Sequence, residues 1–197
     1  AHMKNAVITI AREYGSGGRK IGELVAERLG VPFYDKEIIA LTAQKSGFAE
    51  DFIKANEERT HSSLIYSLYM HSAIPNVFDQ AAIAEANVIR ELAEKGPCVI
   101  VGRAADSIVD KGKSIRVFVY APIESRIRRV EGEYGLKVSD TKRYIDKTDR
   151  ERSAFYNFTS NKKWGDTRNY HLTLNSDVGV ETAANLIVEY AKAYELK

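Results

Sequence analysis

The chain has 197 residues, of which 44% are hydrophobic, and its formal net charge at pH 7 is +2. This length is enough for one sizeable hydrophobic core, so we expect a single domain, covering residues 3–197. The near-neutral charge argues against nucleic acid as a partner, and the single cysteine excludes an internal disulfide. No apolar run is long enough to span a bilayer, and we expect a cytoplasmic protein without a membrane partner.

Short apolar runs alternate with amphipathic segments along most of the chain. Strands are predicted at 6–10, 32–34, 98–102, 115–120 and 171–174. Helices are predicted at 19–29, 36–45, 80–95, 123–134, 140–158 and 180–194. This alternation predicts an α/β protein with a layered parallel sheet, in which ligands bind at the carboxyl ends of the strands.

A glycine-rich turn follows the first predicted strand and leads directly into the first predicted helix. It reads Arg12-Glu13-Tyr14-Gly15-Ser16-Gly17-Gly18-Arg19-Lys20. Glycines allow several backbone N–H groups to point at one anion, and the helix N-terminus adds its positive dipole end. The turn therefore predicts a phosphate site with Arg19 and Lys20 beside it. The alternative is a tight turn that carries two solvated cations.

This turn departs from the standard nucleotide P-loop, G-x-x-x-x-G-K-[ST]. With Gly17 as the second glycine, Arg12 takes the place of the first glycine, Gly18 that of the lysine and Arg19 that of the hydroxyl. Arg19 or Lys20 could replace the lysine. No hydroxyl for Mg²⁺ lies in register, although Ser16 is nearby. Nucleotide binding is therefore better supported than fast catalysis.

Residues 46–79 interrupt the strand–helix rhythm between the second and third predicted strands. The segment is mixed in composition and contains no convincing strand. We interpret it as a helical flap over the substrate side of the sheet. A helical hairpin that packs only for stability is the alternative.

Arginines follow two of the later strands. Arg103 ends the third strand and would face the cleft, where its planar guanidinium suits a phosphate; the alternative is pairing with Asp106 or Asp110. Arg126 and Arg129 share one face of the next helix.

The charges from Ile145 to Arg152 alternate in sign. Asp146 and Arg150 are spaced for pairing along a helix, and so are Asp149 and Arg152. Such runs are usually solvated, but two arginine-bearing helices could also form a lid over a triphosphate. The histidines lack metal-ligand spacing, so no protein metal site is predicted.

Taken together, these motifs resemble the cytidylate kinase-like family, P-loop relatives of bacterial cytidylate kinase. The resemblance rests on the segments 8–10, 12–19, 32–35, 99–103, 126–129 and 149–152. It implies a P-loop NTPase-type three-layer sandwich with a five-stranded parallel sheet, a helical region that binds the nucleoside monophosphate, and a lid at about 130–168. The chain departs from true cytidylate kinases at Gly18 and Arg19, and it lacks their additional insert.

The resemblance also implies an activity, namely phosphoryl transfer from ATP with Mg²⁺ to a CMP- or dCMP-like nucleotide, by a monomer or a homodimer. The implied phosphate cradle is Gly15, Ser16, Gly17, Gly18 and Arg19. The implied acceptor residues are Asp35, Arg103 and Asp149. The implied catalytic cations are Arg19, Lys20, Arg126, Arg129, Arg150 and Arg152. The alternatives are a regulatory module that binds nucleotide without catalysis and a small-molecule kinase with another acceptor.

Overall fold

The computed structural model describes residues 6–47 and 76–194 of the chain. In chain order, the helices and strands of these ranges are β1 (Val7–Arg12), α1 (Gly18–Leu29), β2 (Phe33–Tyr34), α2 (Lys36–Ser46), α3 (Asn76–Glu94), β3 (Cys98–Val101), α4 (Ala105–Ile108), β4 (Ser114–Tyr120), α5 (Ile123–Gly132), α6 (Thr141–Ser160), β5 (Leu172–Asn175) and α7 (Val180–Ala193). Each of the predicted strands and helices corresponds to one of these elements, within a few residues at either end.

The five strands form one sheet in the order β2-β3-β1-β4-β5, and every neighbouring pair is parallel. Strand β1 lies in the centre, because the chain adds β3 on one side of it and then crosses to add β4 on the other. A crevice opens where the strand order reverses in this way, at the carboxyl end of the central strand. The predicted parallel α/β sheet is confirmed, and its crevice lies at the glycine-rich turn.

Helices cover both faces of the sheet. One buried cluster, between the sheet and helices α1 and α7, includes Ile21, Val25 and Ile187. The other, between the sheet and helices α2 and α3, includes Ile38 and Ile89. The predicted three-layer arrangement follows from these two cores, since each face of the sheet buries its own set of apolar side chains.

Helix α1 packs unusually close to the sheet at Gly22. A Cβ atom there would lie 2.7 Å from a methyl group of Val101 and 3.1 Å from the ring of Phe33. Hydrogen in place of a side chain therefore allows this close approach. It fixes the start of α1, and with it the glycine-rich turn, against the ends of β1 and β3.

The predicted flap and the predicted lid differ in how much of each the structure describes. Residues 48–75, which form most of the predicted flap, lie outside the described ranges. The predicted lid region contains α6, which carries Asp149, Arg150 and Arg152. In the described part of the chain, no helix combines the length and the apolar character that a membrane crossing requires.

Candidate active site

The glycine-rich turn closes on itself through the side chain of Ser16. The buried Ser16 hydroxyl donates to the carbonyl of Glu13 at 2.7 Å and accepts from the N–H of Gly18 at 3.3 Å. Gly15 and Gly17 have φ values of +81° and +80°, which are strained for any other residue type except Asn or Asp. The turn is thus a closed loop, and the glycines at these two positions are required by its backbone.

Helix α5 forms one wall of the crevice and lies directly against this loop. A Cβ atom on Gly15 would lie 3.0 Å from both the Cβ and the carbonyl oxygen of Arg126, and one on Gly17 would lie 3.3 Å from Nε of Arg129. The Arg129 guanidinium also donates to the carbonyl of Gly15 at 2.8 Å. The structure therefore brings Arg126 and Arg129 to the predicted phosphate cradle.

Asp149 ties helix α6 to the same loop. One carboxylate oxygen accepts from the N–H of Tyr14 at 2.7 Å, and the other from Nη1 of Arg126 at 2.5 Å. Arg126 also lies 3.5 Å from a carboxylate oxygen of Glu13. Asp149 thus pairs with Arg126 and not with Arg152, so the predicted pairing within α6 is wrong here. The reason is that Asp149 faces the loop, where a partially buried cation and a backbone donor are both available.

The other charges of α6 lie in different surroundings. Arg152 donates to the carbonyl of Arg12 at 3.1 Å, and its guanidinium lies over the ring of Tyr14, 5.3 Å from the centroid. Burial, and after it the like charge of Arg12, lowers the pKa of Arg152 to about 9. Arg150 is exposed. Asp146, its predicted partner, pairs with Lys142 at 2.7 Å.

Across the crevice, Asp35 and Arg103 form a second cluster. Nε of Arg103 donates to the carbonyl of Asp35 at 3.1 Å, and Nη2 lies 3.8 Å from the Asp35 carboxylate. Burial lowers the pKa of Arg103 to about 10. Arg103 has φ of +56° and follows Gly102 at +75°, so the chain turns through left-handed conformations here and directs the side chain to Asp35.

Arg19 extends toward this second cluster. Its guanidinium donates to Asp35 at 2.8 Å and also pairs with Glu23, and 46% of the side chain is exposed. Lys20 is exposed and lies 3.6 Å from Glu23. The role predicted for Arg19 and Lys20 at the phosphates stays a prediction.

Glu85 was not identified from the sequence, and it completes this cluster from α3. It is 4% exposed, and its carboxylate lies 3.5 Å from Nη1 of Arg103. Burial raises the pKa of Glu85 from 4.5 to about 8. Nothing local distinguishes it in the sequence, since an acidic residue in a helix is usually solvated.

We expect Glu85→Gln to gain stability relative to the parent protein as the pH rises from about 4.5 to about 8. A carboxyl group whose pKa is raised by folding binds more protons in the folded state than in the unfolded state between the two pKa values. The contribution of Glu85 to stability therefore falls as the pH rises from about 4.5 to about 8, and glutamine removes that loss. Thermal melting of both proteins across this range measures the effect.

Glu94→Gln, an exposed change on the same helix, is the control and should leave the parent pH profile unchanged. If Glu85→Gln instead loses stability relative to the parent at pH 8, the Glu85 carboxylate is charged and its pairing with Arg103 outweighs its burial.

The loop and its wall fit a phosphate group. Among the residues that the structure describes, the buried Nε of Arg129 beside Gly17 has no hydrogen-bond acceptor, and a carboxylate oxygen of Glu133 lies 3.6 Å from it. Helix α1 begins at Gly18, directly after Gly17, so the positive end of its dipole lies at the loop. Each feature supplies positive charge or a donor to the same small space, which is what a phosphate requires.

The residues present fit a magnesium ion less well. The Ser16 hydroxyl is engaged within the loop, and Arg19 occupies the position of the usual hydroxyl ligand. Residues 6–47 and 76–194 contain no cluster of three or more His, Cys, Asp or Glu side chains that could hold a metal. We therefore assign no magnesium ligand.

Tyr134 lies at the mouth of the cradle and was also missed by sequence reasoning. Its hydroxyl lies near the backbone of Gly17 and near the charges of Arg129 and Arg152. The ring packs edge-on against Tyr14, with centroids 5.9 Å apart. Burial raises the pKa of the Tyr134 hydroxyl, so it is a neutral group among cations.

The chain has relatives in sequence and in fold. A model of the cytidylate kinase-like family matches residues 7–178. No curated protein sequence matches the chain. Among solved structures, an uncharacterized protein from Eubacterium ventriosum ATCC 27560 is similar, with a TM-score of 0.72 and 27% identity over 96% of this chain and 99% of that one.

Two shikimate kinases share the fold at lower identity. That of Acinetobacter baumannii, solved in complex with shikimate, has a TM-score of 0.57 and 17% identity over 99% of this chain and 98% of that one. That of Bacteroides thetaiotaomicron has a TM-score of 0.51 and 18% identity over 95% and 98%. These two similarities establish a P-loop kinase fold. Because the family model covers most of its length, the chain belongs to the cytidylate kinase-like family.

Proposed function

We propose that the protein transfers the terminal phosphoryl group of ATP to a small acceptor, with CMP or dCMP favoured. One observation carries this proposal: arginines from two helices, Arg129 and Arg152, converge on a closed glycine loop at the end of the central strand. Family membership and the P-loop kinase fold support phosphoryl transfer in general. The nucleotide acceptor is the finer part of the proposal and rests on the family resemblance.

Phosphoryl transfer depends mainly on positioning and on neutralising charge. When bound, ATP supplies the phosphoryl group. Gly15 and Gly17 let helices α5 and α7 pack directly against the loop, because a Cβ atom at either position would lie 3.0 Å from one of these helices. Arg129 and Arg152 are held by backbone carbonyls, so that their remaining donors can neutralise charge without first being ordered.

Asp35 and Arg103 would bind the acceptor. Each side chain is only 9% exposed, and the Asp35 carboxylate is bounded by Arg19 and Arg103. A carboxylate and a guanidinium held together can orient a hydroxyl and an anionic group of the same ligand. Asp149 has a positioning role, since both of its oxygens hold other parts of the site.

A nucleotide-binding regulatory module is the second candidate. It is favoured by Gly18 in place of the lysine and Arg19 in place of the magnesium hydroxyl. A kinase with another small acceptor is a further candidate, because a protein of the same fold was solved with shikimate.

The test is release of ADP from ATP and Mg²⁺ with CMP, dCMP, UMP, AMP or shikimate as separate acceptors. Arg103→Ala and Arg19→Ala are purified and assayed beside the parent. We expect turnover that depends on CMP or dCMP and falls by about 100-fold or more in Arg103→Ala, because a buried cation at the acceptor is lost.

Each of the other possible results points to a different interpretation. Turnover with shikimate alone would replace the nucleotide acceptor. No turnover, with ATP still raising the melting temperature, would show the binding module. Turnover that Arg103→Ala leaves unchanged would reveal a contaminating kinase and overturn the proposal.

A further inference from the structure

Two departures from the P-loop motif, Arg12 and Gly18, are in contact in the structure. Arg12 takes the place of the first glycine, and Gly18 that of the lysine. A Cβ atom on Gly18 would lie 2.5 Å from Cβ of Arg12 and 2.9 Å from its Cγ, closer than non-bonded carbon atoms approach. A lysine at position 18 therefore cannot coexist with Arg12 in this conformation, and the two departures form one coupled exchange.

The side chain of Arg12 runs from the loop to the end of β3. A Cβ atom on Gly102 would overlap Nη1 of Arg12 and would lie 2.9 Å from its Cζ. The guanidinium is therefore pressed against the backbone of Gly102, between the phosphate cradle and Arg103. Strand β1 ends at Arg12, so its position is fixed by pairing with Val119 on β4.

The charge of Arg12 has no direct counterion in the described ranges, where no carboxylate lies within ion-pair distance of its guanidinium. Asp35 and Asp149 attract it only from farther away, and burial lowers its pKa. Arg152 adds a second positive charge, since it donates to the Arg12 carbonyl and its guanidinium is close enough for the like charge of Arg12 to lower its pKa. Arginine stays charged in proteins, and a partially buried cation without a counterion is costly. Two such cations side by side favour an anion between them.

We propose that Arg12 is the phosphate-binding cation of this site and replaces the P-loop lysine from the end of strand β1. That the anion is a nucleotide polyphosphate rests on the proposed function. Arg12 then supplies the charge that sequence reasoning gave to Arg19.

Calorimetry with two probes, ATP and inorganic tripolyphosphate, tests this directly without measuring turnover. Arg12→Met is compared with the parent and with Arg19→Met, a matched loss of one arginine from the same loop. We expect Arg12→Met to weaken tripolyphosphate binding by about 10- to 100-fold, the usual value of a charge-assisted contact. Arg19→Met should change it by less than about 3-fold, because Arg19 pairs with Asp35 and Glu23.

A reciprocal exchange tests the coupling of the two positions. Gly18→Lys alone should abolish binding or prevent folding, since the new side chain meets the root of Arg12. The double variant Arg12→Gly/Gly18→Lys relieves the overlap and restores the first glycine and the lysine of the standard motif, so we expect it to bind tripolyphosphate within about 5-fold of the parent. If Arg12→Met does not fold, the double variant decides the question.

Three results would overturn the inference: parent-like binding by Arg12→Met, an equal loss in Arg19→Met, or a folded double variant that does not bind. Failure of the proposed function has a different signature. Binding that follows the expected pattern, without ADP release for any acceptor, would exclude the kinase and leave the role of Arg12 intact. A parent protein that binds neither probe would exclude both.

Discussion

Replacing Arg126 with alanine should lower the free energy of unfolding by about 3 kcal/mol, because it breaks a largely buried ion-pair cluster. The side chains of Arg126 and Asp149 are 11% and 16% exposed, and Arg126 contacts both Asp149 and Glu13. Its loss leaves two carboxylates close together without their shared cation. Urea denaturation of parent and variant measures the change.

Arg128→Ala is the matched control on the same helix. Arg128 is exposed, and its guanidinium donates to the hydroxyl of Ser125 at 2.9 Å, so the loss should stay within about 0.5 kcal/mol. The double variant Arg126→Ala/Asp149→Ala should lose less than the sum of the single variants, by about 1 kcal/mol or more, since each removes the same contact. Additive losses would show that the pair does not hold helix α6 to the loop.

The second large effect should be on catalysis. Arg152→Met should lower kcat/KM for the acceptor that is turned over by about 100-fold or more, if this arginine neutralises charge in the transition state. Its guanidinium is already fixed by the Arg12 carbonyl and the ring of Tyr14. Steady-state kinetics of the parent and of the variant would measure the loss.

Arg150→Met is the control for that comparison, since Arg150 lies two residues earlier on the same helix and is exposed. Parent-like kinetics in Arg150→Met together with the loss in Arg152→Met would assign a catalytic role to Arg152 and none to Arg150. Equal losses in the two variants would contradict this assignment and favour a lid that uses both arginines.

Local patterns in the sequence predict the strands, the helices and the position of the crevice. Alternating apolar periodicity and the glycine turn depend on residues close in the chain, and these predictions were confirmed. The charged contacts were harder, because pairing along a helix considers only neighbours three or four residues apart. Asp149 instead bonds to Tyr14, 135 residues away in sequence, and no local pattern predicts such a contact.

The candidate site shows the same division. The position of Arg103 at the end of β3 follows from its place after a strand, and the structure places it next to Asp35, while its role at the acceptor stays a prediction. Glu85 and Tyr134 carry no local signal, because their surroundings come from packing. Arg12 did carry one: it stands where the P-loop has a glycine. From the sequence alone, Arg12 is only a departure from the P-loop motif. Its contact with Gly102 explains the departure, and Gly102 is distant in sequence.

The bond between Ser16 and the N–H of Gly18 has a consequence for how strongly any ligand binds. The serine hydroxyl accepts, at 3.3 Å, an N–H at the start of helix α1 that an anion would use, so the loop keeps that donor satisfied with an internal substitute. An incoming phosphate has to displace this substitute, and its measured affinity is the difference between the two contacts. The same hydroxyl donates to the carbonyl of Glu13, so its release would couple occupancy of the loop to a change in the turn that follows strand β1.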